Sequence, residues 1–375
     1  MSSSPITSAT VSATPQERLL EHLSRVPDPR DPRGVRYPLA GLLAVAVSAV
    51  LAGAKSFTAI GEWAAALGVE SLACLGLETA PTESNLRKLF ARIDAAALDL
   101  QLAVFAWTRS RDIAGRRVIA IDGKTIRGAR TPTTTAPHLV AALDHTAGVV
   151  LGQIAVADKS NEIPAVRDLL AGFDPAEVHG CVITVDAMHT QTDTASAILD
   201  AGADYVFTVK GNQPGLHKRL KALPWRNVPA RTSTDTTRGR RTTRTIKVAD
   251  APPWTGFTGA AQVAQIRRTR TVKGKKTVEV VYLITSAANQ AAPPATLAAW
   301  IQGHWCIENR LHWVRDVSFD EDRSQVRTGN APHIMASLRN IAISLLRLTG
   351  WTNIAAAQRH HARNPPGTVK CLLTW

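Results

Sequence analysis

Val118-Ile119-Ala120-Ile121-Asp122-Gly123-Lys124 and Cys181-Val182-Ile183-Thr184-Val185-Asp186-Ala187-Met188-His189 are two runs of the same kind. Each is a short apolar stretch, rich in β-branched residues, that stops at an aspartate. Such a run reads as a strand buried on both faces. A carboxylate at the end of a buried strand is held rigidly at the sheet edge, where open α/β sheets gather functional groups. Either aspartate alone reads equally well as a turn or helix-cap residue. Two of them on neighbouring strands read as a site.

Working outward, strands are expected at 117–121, 138–143, 149–156, 182–185 and 205–209, with helices at 164–171 and 193–201. The order β-β-β-α-β-α-β predicts an α/β fold, a mixed sheet with helices on its faces. Upstream, residues 17–110 read as an all-α domain. Within it, the apolar stretch 39–54 is shorter than the roughly 20 residues a bilayer needs and predicts a buried helix. Residues 1–16 are Ser/Thr-rich without an apolar core and predict a disordered tail rather than a signal peptide.

After Gly211 the character changes. Residues 210–250 hold eleven Lys or Arg but only two acids, Asp235 and Asp250. Alternating strands are expected at 242–248, 261–270 and 277–285. Residues 212–293 therefore read as a basic β-rich insertion that divides a core of 111–211 and 294–350. One helix is expected over 295–316 and another over 332–348, with 351–375 as a basic tail that is irregular from 358 on.

The net charge of +14 points to a polyanionic partner. Cys74, Cys181, Cys306 and Cys371 are far apart and form no CxxC pair, so no zinc site is suggested. A reduced, cytoplasmic setting and no membrane partner are expected.

Glu308 supplies a third carboxylate. On its helix, His304, Trp305, His312 and Arg315 share its face. That face is suited to gripping a metal and a phosphate backbone, although a surface Glu paired with His312 and Arg315 also accounts for it. Two strand-end aspartates and one helix glutamate can hold a pair of divalent metals. Arg315 is expected to clamp a phosphate, and Trp305 either to stack on a base or to pack in the core. His189 either touches a phosphate or packs. Glu162 is a competing acid, which reads as a helix-cap or supporting residue ahead of a metal ligand. Asp320-Glu321-Asp322 either binds metal or ends a solvated helix and pairs with Arg323. Lys210, Arg240, Arg241 and Arg244 are the expected backbone contacts of the basic segment, joined by His304.

These residues carry a resemblance. The two quoted runs, Lys159-Ser160-Asn161-Glu162-Ile163, Lys210-Gly211-Asn212-Gln213, His304-Trp305-Cys306-Ile307-Glu308-Asn309, Leu311-His312-Trp313, Asp316-Val317, Asp320-Glu321-Asp322 and Leu338-Arg339-Asn340 resemble bacterial insertion-sequence transposases of the H-repeat-associated group. The match runs over about residues 20–350. It implies a ribonuclease-H-like core with Asp122, Asp186 and Glu308 as the metal-binding triad, and Mg2+ or Mn2+ as the cofactor. It implies double-stranded DNA, at element ends and target, as the partner. A homodimer assembled on DNA and a place at the bacterial nucleoid follow from the same resemblance. The wider family carries a Tyr-Arg-Glu-Lys pattern around its glutamate. Here Ile301, His304 and Arg315 occupy the Tyr, Arg and Lys positions, and only Arg315 keeps the charge. A catalytically silent DNA-binding derivative is the alternative reading.

Overall fold

A computed structural model describes residues 17–110, 115–157, 161–237 and 239–375. The expected tail at 1–16, the Lys159-Ser160 part of one motif and Arg238 lie outside the described residues.

Nine strands form one sheet among the described residues: β1 (Val118–Thr125), β2 (His138–Asp144), β3 (Val150–Ala155), β4 (Val182–Val185), β5 (Asp204–Val209), β6 (Ala230–Thr237), β7 (Arg240–Asp250), β8 (Gln262–Val272) and β9 (Lys275–Thr285). Their order in space is β3-β2-β1-β4-β5-β9-β8-β7-β6. β1, β4 and β5 run parallel, while β2, β3 and β9 pair antiparallel. This is the expected ribonuclease-H-like mixed sheet flanked by helices. The basic β segment does not stand apart from it. β9 hydrogen-bonds to β5 from Val206↔Thr285 to Val209↔Tyr282, so the segment extends the core sheet. It begins with a helix, Pro214–Lys221, and contributes four strands, one more than its alternation suggested.

Both faces of the central strands are covered, which is why their sequences are apolar without a break. Ile119, Ile121, Ile183, Val185, Tyr205 and Phe207 pack on the helices Glu162–Ala171 and Thr192–Asp200 through Val166, Leu169, Ala195 and Ile198. The other face carries Val118, Val182, Val206, Ile246, Ala264 and Leu283, which meet Leu297 and Trp300 of the helix Pro294–Gly303.

The helix Leu39–Leu51 is apolar all round and almost wholly buried. A helix of that kind needs partners on every side. They are Leu19–Ser24, Phe57–Ala65, Ala331–Leu348, Ile354–Ala362 and Pro365–Leu373. The last two correct the expectation of an irregular tail. Asn353 and Asn364 cap them by accepting from the backbone N–H of Ala356 and Gly367. Ile354, Ala357, Val369 and Leu372 are buried against the N-terminal helices. The density of basic residues masks this apolar spacing in the sequence. No helix among the described residues is long and apolar enough to cross a membrane.

Candidate active site

Register brings the two aspartates together. β1 and β4 pair in parallel from Val118↔Val182 to Ile121↔Val185. Asp122 and Asp186 are the next residues on adjacent strands, about 4.8 Å apart in the pairing direction. They share the face of Val118 and Val182, because side chains alternate. That face is the one covered by the helix running toward Glu308.

The helix and the strands advance in step. Trp300 packs with Val118 and Val182. His304, four residues on, lies 3.1 Å by Nδ1 from the Thr184 hydroxyl, two residues along β4. Four helical residues rise about 6 Å and two strand residues about 6.6 Å. The next step puts Glu308 level with Asp122 and Asp186. All three carboxylates line one cleft of about 480 Å³.

At Glu308 the helix widens into a π turn, Glu308–His312, before resuming at Trp313–Val317. Such turns occur often at functional sites. Ligand atoms of Asp122, Glu308 and His312 lie within 4.8 Å of one another. The extra residue of a π turn rotates everything beyond it by about 100°. This is why the structure overturns the expected phosphate clamp. Arg315 is fully buried and pairs with Glu321 at 2.8 Å, and Arg339 pairs with the same carboxylate at 2.8 Å. Burial alone would raise the Glu321 carboxyl, but the two guanidiniums outweigh it and hold it at about 2. Glu321 is thus neither a metal ligand nor the end of a solvated helix. Of its neighbours, Asp320 lies 3.9 Å from Arg323, and Asp322 lies 3.9 Å from Lys124.

Electrostatics mark Asp122 as the centre of the site. Burial lifts its carboxyl to about 7 against the opposing Gly123 N–H, and Glu162, Glu308 and Asp186 add to the rise. Crowded, partly desolvated carboxylates fit a divalent ion, which would relieve their repulsion. His304 is driven to about 4 by burial, although Asp186 opposes the shift, so it lines the cleft as a neutral ring.

Glu162 sits on the other face of β1. A Cβ at Gly123 would stand 2.5 Å from its carboxyl carbon and 2.6 Å from His138 Nε2, so any larger residue after Asp122 would have to push the Glu162–His138 pair aside. A hydrogen bond from His138 at 2.7 Å, with the His189 ring beside it, holds the Glu162 carboxyl at about 2 despite burial. His189 is completely buried 3.5 Å from Glu162, which leaves packing as its role.

The remaining expected contacts divide. Lys210 and Arg244 line the cleft, joined by Arg231 and Arg268, which the sequence reading passed over. Ser233↔Arg244 and Arg244↔Arg268 are cross-strand pairs, so these side chains share one face. The signal was the alternation on β6 and β8. Arg240 and Arg241 are exposed at the far end of β7 and fall on opposite faces by alternation. They do not line the cleft with Arg244. Trp305 is 56% exposed at the cleft edge, which removes the core reading. The Lys210–Gln213 loop is tied down by Asn212, which donates to Ala187 O at 2.6 Å, and Gln213, which donates to Thr190 O at 2.8 Å. It therefore follows the turn after Asp186.

Comparison with known proteins gives the family. Residues 113–345 match the family model described as Transposase DDE domain, and residues 20–108 match the one described as DDE_Tnp_1-associated. A relative named "Putative transposase YncI", from Escherichia coli O157:H7, is 33% identical over 352 residues, covering 88% of this chain and 87% of its own. "H repeat-associated putative transposase YhhI" of Escherichia coli K12 is 32% identical over 351 residues, covering 88% and 90%. Among solved structures, the piggyBac transposase synaptic complex with hairpin DNA is similar at a TM-score of 0.47 and 11% identity, covering 94% of this chain and 78% of that one. On the family matches and the close relatives, the chain belongs to the DDE transposases.

Proposed function

We propose that the chain cuts and joins DNA strands at the ends of an insertion sequence by phosphoryl transfer assisted by two divalent ions, Mg2+ or Mn2+. The observation that carries this reading is the convergence of Asp122, Asp186 and Glu308, from three separate elements, in one cleft lined also by Lys210, Arg231 and Arg244. Bound there, the ions would activate a water or a 3′ hydroxyl and neutralise charge on the phosphate in flight. Asp122, whose carboxyl is raised by both Glu308 and Asp186, would be the shared ligand. Asp186 and Glu308 complete the two sides. Lys210, Arg231 and Arg244 hold backbone phosphates without reading sequence. Trp305 offers an exposed ring on which a base freed at the cut end can stack. Each step is an in-line displacement, so positioning and charge neutralisation are the protein's main contributions.

Two copies assembled on paired DNA ends, acting at the bacterial nucleoid, belong to the same proposal. The experiment is incubation with linear DNA bearing the element's terminal repeats, with Mg2+ or Mn2+. Nicked and strand-joined products support the reading. Binding without either product in both metals supports a silent DNA-binding derivative instead.

A further inference from the structure

We infer that Nδ1 of His312 is a ligand of the divalent ion held between Asp122 and Glu308, which makes that half of the site a nitrogen–oxygen set favouring Mn2+ over Mg2+. The inference rests on the proposed metal-assisted reading and adds a fourth residue to its three carboxylates.

His312 is 6% exposed, and its Nδ1 lies 3.5 Å from Oδ2 of Asp122. Its Nε2 is buried without a hydrogen-bond partner. The ring is therefore held by packing, with one nitrogen aimed into the carboxylate cluster. Its ligand atom and those of Asp122 and Glu308 stand within 4.8 Å of one another. Ligands at about 2.0–2.2 Å from one ion can stand at most roughly 4.4 Å apart, so the set needs only a small contraction to close. Asp186 lines the same cleft but is not in this set.

The local backbone explains the arrangement. Glu308 and His312 are the first and last residues of the π turn, and residues four apart on a helix share a face. The same turn sends Arg315 into the interior, so the arginine does not crowd the ion. A site of two carboxylates and one imidazole differs from an all-oxygen one in its choice of metal. Mg2+ is hard, keeps its waters and seeks oxygen, whereas imidazole suits later divalent ions. The Asp122–Asp186 side, with only oxygen ligands named, would remain indifferent. The two halves of the site would thus differ in preference.

The probe is Mn2+ added to the full chain and followed by electron paramagnetic resonance. Bound Mn2+ should show the electron spin-echo modulation of a directly coordinated 14N nucleus. In His312→Asn the modulation should vanish while Mn2+ still binds, at about tenfold or more weaker affinity, with Mg2+ competition changed far less. Bound Mn2+ without 14N modulation in the unsubstituted protein overturns the inference, and needs no variant that folds. Modulation that survives His312→Asn overturns it as well. Absence of Mn2+ binding, or binding unaffected by Asp122→Asn, would instead bring down the metal reading itself, and the two failures are told apart by whether Mn2+ binds at a site that Asp122→Asn weakens.

Discussion

Asp316 Oδ1 stands 2.6 Å from Nζ of Lys124, two residues along β1 from Asp122. This pair occupies the place that unbroken helical periodicity assigns to Arg315. The cation beside the site therefore comes from the strand, and the helix contributes its counter-charge. Lys124 is almost buried, at 9% side-chain exposure, so the pair braces the end of β1 against the helix.

Arg315 is consequently a structural residue. Arg315→Ala would leave Glu321 facing only Arg339 in the interior and remove the donor that Gln153 and Asn340 accept from. Breaking one partner of a buried ion pair costs about 3–5 kcal/mol. The expected outcome is a large fall in thermal midpoint. An unchanged melting curve with reduced DNA cleavage would restore the phosphate-clamp role.

Removing charge from the triad should act the other way. Asp122→Asn, Asp186→Asn and Glu308→Gln keep volume, and each should lower DNA nicking by about 10²-fold or more while DNA binding persists. Gel-shift and nicking assays on the same preparations check this. Near-normal nicking by any one variant would remove that residue from the site.

Asp122 also gives a pH prediction with a definite sign. Its folded carboxyl titrates at about 7, against an ordinary 3.8. The folded, metal-free protein then binds the extra proton between those values, and stability falls as pH rises from about 4 to 7. The full shift corresponds to at most about 4 kcal/mol. In chelator at pH 8, Asp122→Asn should melt higher than the unsubstituted chain, and the gap should close near pH 4. Metal binding must displace the same proton, so Mn2+ affinity should climb with pH up to about 7 and then level off. A flat affinity profile would show that Asp122 is already ionised.

Trp305 separates two effects cleanly because it is exposed. Trp305→Ala should leave stability within about 0.5 kcal/mol. It should weaken binding of a frayed or single-stranded DNA end by roughly 1–3 kcal/mol. Loss of thermal stability would mean that the ring packs more than its 56% exposure shows.

The cleft arginines should read out through salt. Arg231→Ala and Arg244→Ala should each flatten the slope of log affinity against log salt by nearly one unit on DNA of any sequence. Arg241→Ala, on the opposite face of β7, should leave cleft binding unchanged. Equal effects from all three would mean that DNA wraps both faces of the sheet.

The β-branched runs ending at Asp122 and Asp186 were legible because burial on both faces writes a continuous apolar signal. The pairing of Val118 with Val182 was not, since nothing local specifies register between strands so far apart in sequence. Glu308 was found as a polar residue amid a helix, but its neighbours were misplaced beyond His312. A single π turn leaves little mark in composition, yet it exchanged Arg315 for Asp316. His312 was placed on the right face without its partner Asp122, which only the sheet supplies. The helices Ile354–Ala362 and Pro365–Leu373 were hidden under basic residues. Their apolar positions are few, and what makes them helices is a groove built by the other end of the chain.

That groove has a consequence for synthesis. Leu42, Leu43 and Leu51 emerge from the ribosome some three hundred residues before Val369 and Leu372, which share their core. A chain shortened before residue 354 keeps every carboxylate of the triad and lacks those partners of its first buried helix. Contacts this distant in sequence form late. Premature termination is therefore expected to yield a protease-sensitive chain rather than an unregulated cutter. Pulse-labelling of the 375-residue chain beside a truncation ending at residue 350 would measure that difference in lifetime directly.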